Sequence, residues 1–136
     1  MTATLDGRPS RLVKLRRRAL GPVHDVRAGL WAARELRRLR GALARDGVRV
    51  TVGRPPRRVS RKSGHVVMLA ARMTRASCLE RSLLRQAWLR GRGTMRDVVI
   101  GVRSDDEFAA HAWLDGDLDG VDFVEIHRIG PGSVQS

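Results

Sequence analysis

Ser77-Cys78-Leu79-Glu80-Arg81-Ser82-Leu83-Leu84 reads as the opening of a helix and sets what can lie on either side of it. Ser77 followed three residues later by Glu80 matches the capping box, in which the Ser side chain takes a backbone amide and the Glu reaches back. The helix then runs through Leu83, Leu84, Ala87 and Trp88 to a stop at Gly91-Arg92-Gly93. This placement puts Cys78 at the first helical position. There, unbonded amides and the helix dipole stabilise a thiolate, and the carboxylate of Glu80 opposes them. A lone cysteine is just as readily a small apolar core residue. Position alone therefore does not assign Cys78 a function; it needs a base.

On the N-terminal side, residues 10–20 and 25–46 read as helices. In the second, Ala28, Trp31, Ala32, Leu36, Leu39 and Leu43 recur every three or four residues and form one apolar stripe, with Asp25 as N-cap and Gly47 as stop. Arginines 34, 37, 38, 40 and 45 fill the rest of that helix as a solvated face. Val48 to Val52 alternates like a short strand, and Gly53 to Ser63, with Pro55-Pro56 and a cluster of basic residues, reads as a loop. Val66 to Met73 is a compact helical pattern. On the C-terminal side Val98–Val102, Phe108–Leu114 and Val121–Ile126 look like strands. The result is an α+β chain: a helical N-terminal half and a capped helix packed on a small antiparallel sheet.

With 136 residues and 42% apolar content, the chain is read as a single domain, 1–136. Residues 1–64 form its helical part, including the Arg-rich loop 53–63, and 65–136 its core. The single cysteine excludes an intrachain disulfide and fits a reducing compartment. No apolar run is long enough to span a bilayer and no secretory signal follows the basic segment Arg11 to Arg18, so the expected location is the cytoplasm. The formal net charge of +13 comes almost wholly from arginine, only Lys14 and Lys62 being lysines. A GC-rich genome produces such a bias without functional demand, and a solvated basic surface accounts for it.

Four histidines could serve Cys78. His24 and His65 precede helices, and His127 ends the last strand beside Arg128 without an obvious carboxylate partner. His111 lies within Phe108-Ala109-Ala110-His111-Ala112-Trp113-Leu114, ahead of a Gly- and Asp-rich turn. If residues 116–120 close a hairpin, Trp113 pairs with Phe123 and His111 with Glu125, which groups all four on one face. A carboxylate opposite the imidazole would hold its tautomer and stabilise the imidazolium. A one-residue slip would bring Asp122 there instead, so Glu125 and Asp122 both stand as candidate acids.

The ordered set Cys78-Leu79-Glu80-Arg81-Ser82, then Gly101-Val102, then His111-Ala112-Trp113, resembles the leader peptidases of lasso-peptide biosynthesis, members of the transglutaminase-like superfamily. The resemblance covers about residues 66–126 and implies a transglutaminase-like, papain-like core. It also implies a cysteine peptidase with Cys78 as nucleophile and His111 as general base. The third member in that family is an acid, commonly twelve positions after the histidine, where this chain has Phe123. Two residues inserted in the turn would give the role to Glu125, and one deleted would give it to Asp122.

Such enzymes remove the leader from a ribosomally made precursor before an ATP-dependent cyclase closes the macrolactam. The chain resembles the split form, which lacks a leader-recognition domain and works with a separate leader-binding protein. Arg57, Arg58 and Arg61 are the residues expected to dock that partner or an acidic leader, and Arg81 and Trp113 are further candidate binding residues. No cofactor, metal site or phosphate-binding loop is expected. Other readings are a different acyl transfer on the same scaffold, a pseudoenzyme, or a basic nucleic-acid-binding module. For the last, the aromatics needed for base stacking are few.

Overall fold

The computed structural model describes residues 11–57, 59 and 61–132, with side chains from Pro22 onward except at position 61. In chain order the elements are α1 (Arg11–Asp46), a 3-10 turn at Arg61–Ser63, α2 (Gly64–Met73), α3 (Cys78–Arg90), β1 (Val98–Ser104), β2 (Phe108–Leu114), a second 3-10 turn at Leu118–Gly120 and β3 (Val124–Ile129). The chain is thus α+β, three helices and one antiparallel sheet of order β2-β1-β3.

The stripe on α1 faces inward as its spacing requires. Ala28, Ala32 and Leu36 join Val59, Val67, Ala71, Leu84 and Trp88 in a cluster among the three helices. Leu39 joins Val50, Leu83, Val98, Ala112, Leu114 and Ile129 in a second cluster between helices and sheet. The adjacent residues Leu83 and Leu84 therefore point into different cores. α3 is packed on both sides, and its N-terminal residue is held wherever that packing puts it.

Two local expectations are corrected. The break expected between residues 20 and 25 is absent, and α1 runs unbroken through Pro22. Asp25 is not its cap: its Oδ1 accepts a hydrogen bond from Ser63 Oγ at 2.7 Å, a partner 38 residues away. Residues 48–52 are not a strand and pair with none of the three strands. Arg38 and Glu35 of α1 hold this segment instead, Arg38 Nη2 donating to the Thr51 carbonyl at 2.6 Å and Gly53 N donating to Glu35 Oε2 at 2.9 Å.

The expected hairpin is corrected as well. β1, whose Val98 and Val99 are both fully buried, takes the centre of the sheet and separates β2 from β3. His111 and Glu125 are not paired with each other; both pair with Gly101, from opposite sides. A register shift at Ile100/Gly101 leaves Ile126 unpaired on β3, a bulge of the kind that bends an edge strand. The last strand also starts later than expected, at Val124.

Candidate active site

α3 begins as its sequence dictates. Ser77 is extended, its Oγ accepts from Glu80 N at 3.2 Å, and Ser77 N donates to Glu80 Oε2 at 2.9 Å, completing the capping box. The first helical bond runs from Arg81 N to the Ser77 carbonyl at 2.9 Å, so the amides of Cys78 and Leu79 precede the hydrogen-bonded ladder. Arg40 of α1 donates to both carboxylate oxygens of Glu80, at 3.2 and 3.3 Å. The negative charge expected to oppose the helix dipole at Cys78 is therefore offset by a cation, and the same ion pair ties α1 to this corner.

Cys78 is half-buried and opens into a cleft of about 520 Å³. His111 of β2 lines the same cleft, so the two residues singled out from the sequence share one space. One hydrogen bond joins the two elements that carry them. Ser82, one turn beyond Cys78, donates from Oγ to the carbonyl of Ala112, the neighbour of His111, at 3.1 Å. Ser82 thus joins the helix bearing the cysteine to the strand bearing the histidine.

Trp113 is 9% exposed and borders the cleft. Its indole lies where no neighbouring side chain could: a Cβ on Gly101 would stand 2.6 Å from it, and a Cβ on Gly120 would stand 2.0 Å from it. The glycine of the Gly101-Val102 pair is thereby explained as close approach of an aromatic ring. Trp113, Phe123 and His111 form a triangle of rings, with centroids 5.2 to 6.1 Å apart.

Neither of the two acids proposed from the hairpin lines the cleft. Arg128 grips Glu125 with both Nε and Nη2, at 2.8 and 2.9 Å, and those hydrogen bonds hold its carboxyl below the usual carboxylate range. Asp122 is exposed. Among the described residues no hydrogen bond joins either to His111.

Other cleft residues were not evident in the sequence. Asp117 receives Arg85 Nη1 and Arg96 Nη2, each at 2.7 Å. Burial acts to raise its pKa, but the hydrogen bonds and charges of Arg96 and Arg85 outweigh it and the carboxyl lies below its ordinary value. Asp119 and, from α2, His65, Met68, Leu69 and Arg72 complete the walls. His65 Nδ1 bonds the Lys62 carbonyl. These residues come from separate elements, and only packing brings them together. Arg81 also faces the cleft, and among the described residues it pairs with neither Glu80 nor a sheet carboxylate. Gln86, a polar group near the site, is fully committed, its Nε2 donating to the carbonyls of Arg96 and Ile129 at 2.9 and 2.8 Å.

A second groove of about 400 Å³ lies at the far end of α3, between Ala87-Arg90-Gly91 and the Pro55-Pro56 loop. Arg57 lines it, with Arg54 and Arg90. Arg58 lies outside the described residues, as does the side chain of Arg61. Among the described residues, no group of three or more His, Cys, Asp or Glu is placed to hold a metal ion, and no helix is long and apolar enough to cross a membrane.

Searches among curated proteins and solved structures return no significant match. Residues 13–124 match the transglutaminase-like superfamily, a span that includes Cys78, His111 and every cleft residue named above. That superfamily includes cysteine proteases and acyltransferases. This chain belongs to the transglutaminase-like superfamily.

Proposed function

We propose that the chain is a cysteine peptidase that removes the leader from a ribosomally synthesised precursor, as do the lasso-peptide leader peptidases whose motifs it resembles. The observation that carries this reading is the shared cleft of Cys78 and His111, with Ser82 bonding one residue's helix to the other's strand.

The Cys78 thiolate, its proton passed to His111, attacks the scissile carbonyl carbon. The amides of Cys78 and Leu79 lie ahead of the helical ladder, so the Cys78 N–H can donate to the oxyanion that forms. As the tetrahedral intermediate collapses, the C–N bond breaks and the imidazolium returns its proton to the departing amine, which is the N-terminus of the core peptide. Water then attacks the thioester, again through His111, and releases the leader as a carboxylic acid.

The precursor is the substrate, and a separate leader-binding protein presents it, with the ATP-dependent macrolactam cyclase acting on the released core. Arg54, Arg57 and Arg90 around the second groove suit an acidic segment of leader or partner. α3 separates this groove from Cys78 by about 18 Å, at 1.5 Å of rise per residue.

Cleavage in ¹⁸O-labelled water tests the hydrolytic step. One heavy oxygen should enter the new leader carboxyl, as read by mass spectrometry. A leader joined to an added amine, with no label, would instead show acyl transfer on the same scaffold.

A further inference from the structure

Among the described residues, no hydrogen bond reaches either imidazole nitrogen of His111, and two aromatic rings lie beside it. The Trp113 indole lies 6.0 Å from it at an interplanar angle of 20°. Phe123 lies 5.2 Å away at 39°. Both rings are themselves held. Trp113 is lodged against Gly101 and Gly120. Phe123 N donates to the Gly120 carbonyl at 3.0 Å, and the Arg103 guanidinium covers the Phe123 ring at 5.1 Å.

We infer that His111 is oriented by the Trp113–Phe123 ring pair in place of a carboxylate, so that the enzyme works as a Cys78–His111 dyad with Phe123 as a positioning residue. The inference rests on the peptidase reading and deepens it. In a triad the acid performs two tasks: it fixes the imidazole's orientation and it stabilises the imidazolium. Two rings flanking the imidazole restrict its rotation. Their electron-rich faces also lie beside the ring where the imidazolium forms during the reaction. Arg81 and Arg85 from α3, and Arg72 and His65 from α2, share the cleft and oppose a second positive charge; Asp119 and the doubly paired Asp117 favour it. The residue at the position where related peptidases carry an acid is thus not a vacancy in the site but its replacement.

The test is the pH dependence of Cys78 alkylation by iodoacetamide, measured on the full chain without substrate. His111→Ala should slow alkylation near neutral pH and move the profile to higher pH. Phe123→Leu should do the same in part, by about three- to tenfold. Phe123→Tyr should stay within about twofold of wild type, which separates a lost ring from a lost fold. Glu125→Gln and Asp122→Asn should follow wild type. A wild-type profile for Phe123→Leu would overturn the inference, as would a shift in Glu125→Gln, Asp122→Asn or Asp119→Asn as large as that of His111→Ala. If His111→Ala itself changed nothing, the pairing with Cys78 would fail, and the peptidase reading with it.

Discussion

At Gly120 the side chain is excluded by Trp113, whose Cε2 would stand 2.0 Å from an added Cβ. Neither the turn nor the flat indole can yield without moving the ring triangle around His111. Gly120→Ala should therefore destabilise the fold by about 1–3 kcal/mol, and it should depress cleavage more than that loss alone explains. Urea unfolding followed by Trp fluorescence, beside a cleavage rate at full folding, checks both; wild-type values for both would remove the packing argument. Ser82 presents the opposite case, a small group holding two elements together. Ser82→Ala leaves the Ala112 carbonyl without its donor and should cost about 1–3 kcal/mol, with a larger effect on kcat than on KM as Cys78 and His111 drift apart. Cys78 was legible from the sequence because a capping box is a local device that needs only four residues to be recognised. The partners of His111 were not, since they depend on which strand lies beside which.

Among the elements, α3 is the axle of the molecule: one face meets the helices, the other the sheet, and its first residue enters the cleft. Its existence and limits were readable from Ser77-Cys78-Leu79-Glu80 and Gly91, as were β2, α2 and the stripe on α1. The strand order was not. A β2–β3 hairpin satisfies every local rule for the turn at 115–120, and only the burial of Val98 and Val99 explains why β1 takes the centre. Similarly, a Gly21-Pro22 pair reads as a break, yet the helix continues. The connection between β2 and β3 is instead fastened by Asp117 between Arg85 of α3 and Arg96 before β1. Because the folded-state pKa of Asp117 is lowered, its contribution to stability is fully present above the unfolded value of about 3.9 and is lost as pH falls through the folded value. Thermal unfolding from pH 7 to pH 3 should therefore show Asp117→Asn less stable than wild type at neutral pH and converging with it in acid. Parallel curves would mean that the carboxylate contributes nothing through its charge.

For the whole molecule, the excess of arginine has two separable parts. Arg38, Arg40, Arg85, Arg96 and Arg128 are spent on carboxylates within the fold, which reduces what the raw charge of +13 says about partners. Arg54 and Arg57 are exposed at the second groove and have no carboxylate partner among the described residues. If that groove receives an acidic segment, Arg54→Glu with Arg57→Glu should raise KM for precursor processing by about fivefold or more at low salt, and wild type should approach the variant as salt rises. An unchanged KM would place docking elsewhere. Composition could announce the basic surface but not divide it, because whether an arginine is paired depends on residues far away in sequence, as Arg40 and Glu80 show.

The most direct measurement is intact-mass analysis of a cognate precursor incubated with its leader-binding protein and either this chain, Cys78→Ala or His111→Ala. Wild type should release the leader, and both variants should leave the precursor whole over the same period. Release by Cys78→Ala at the wild-type rate, or an intact precursor with all three proteins, would contradict a Cys78–His111 peptidase.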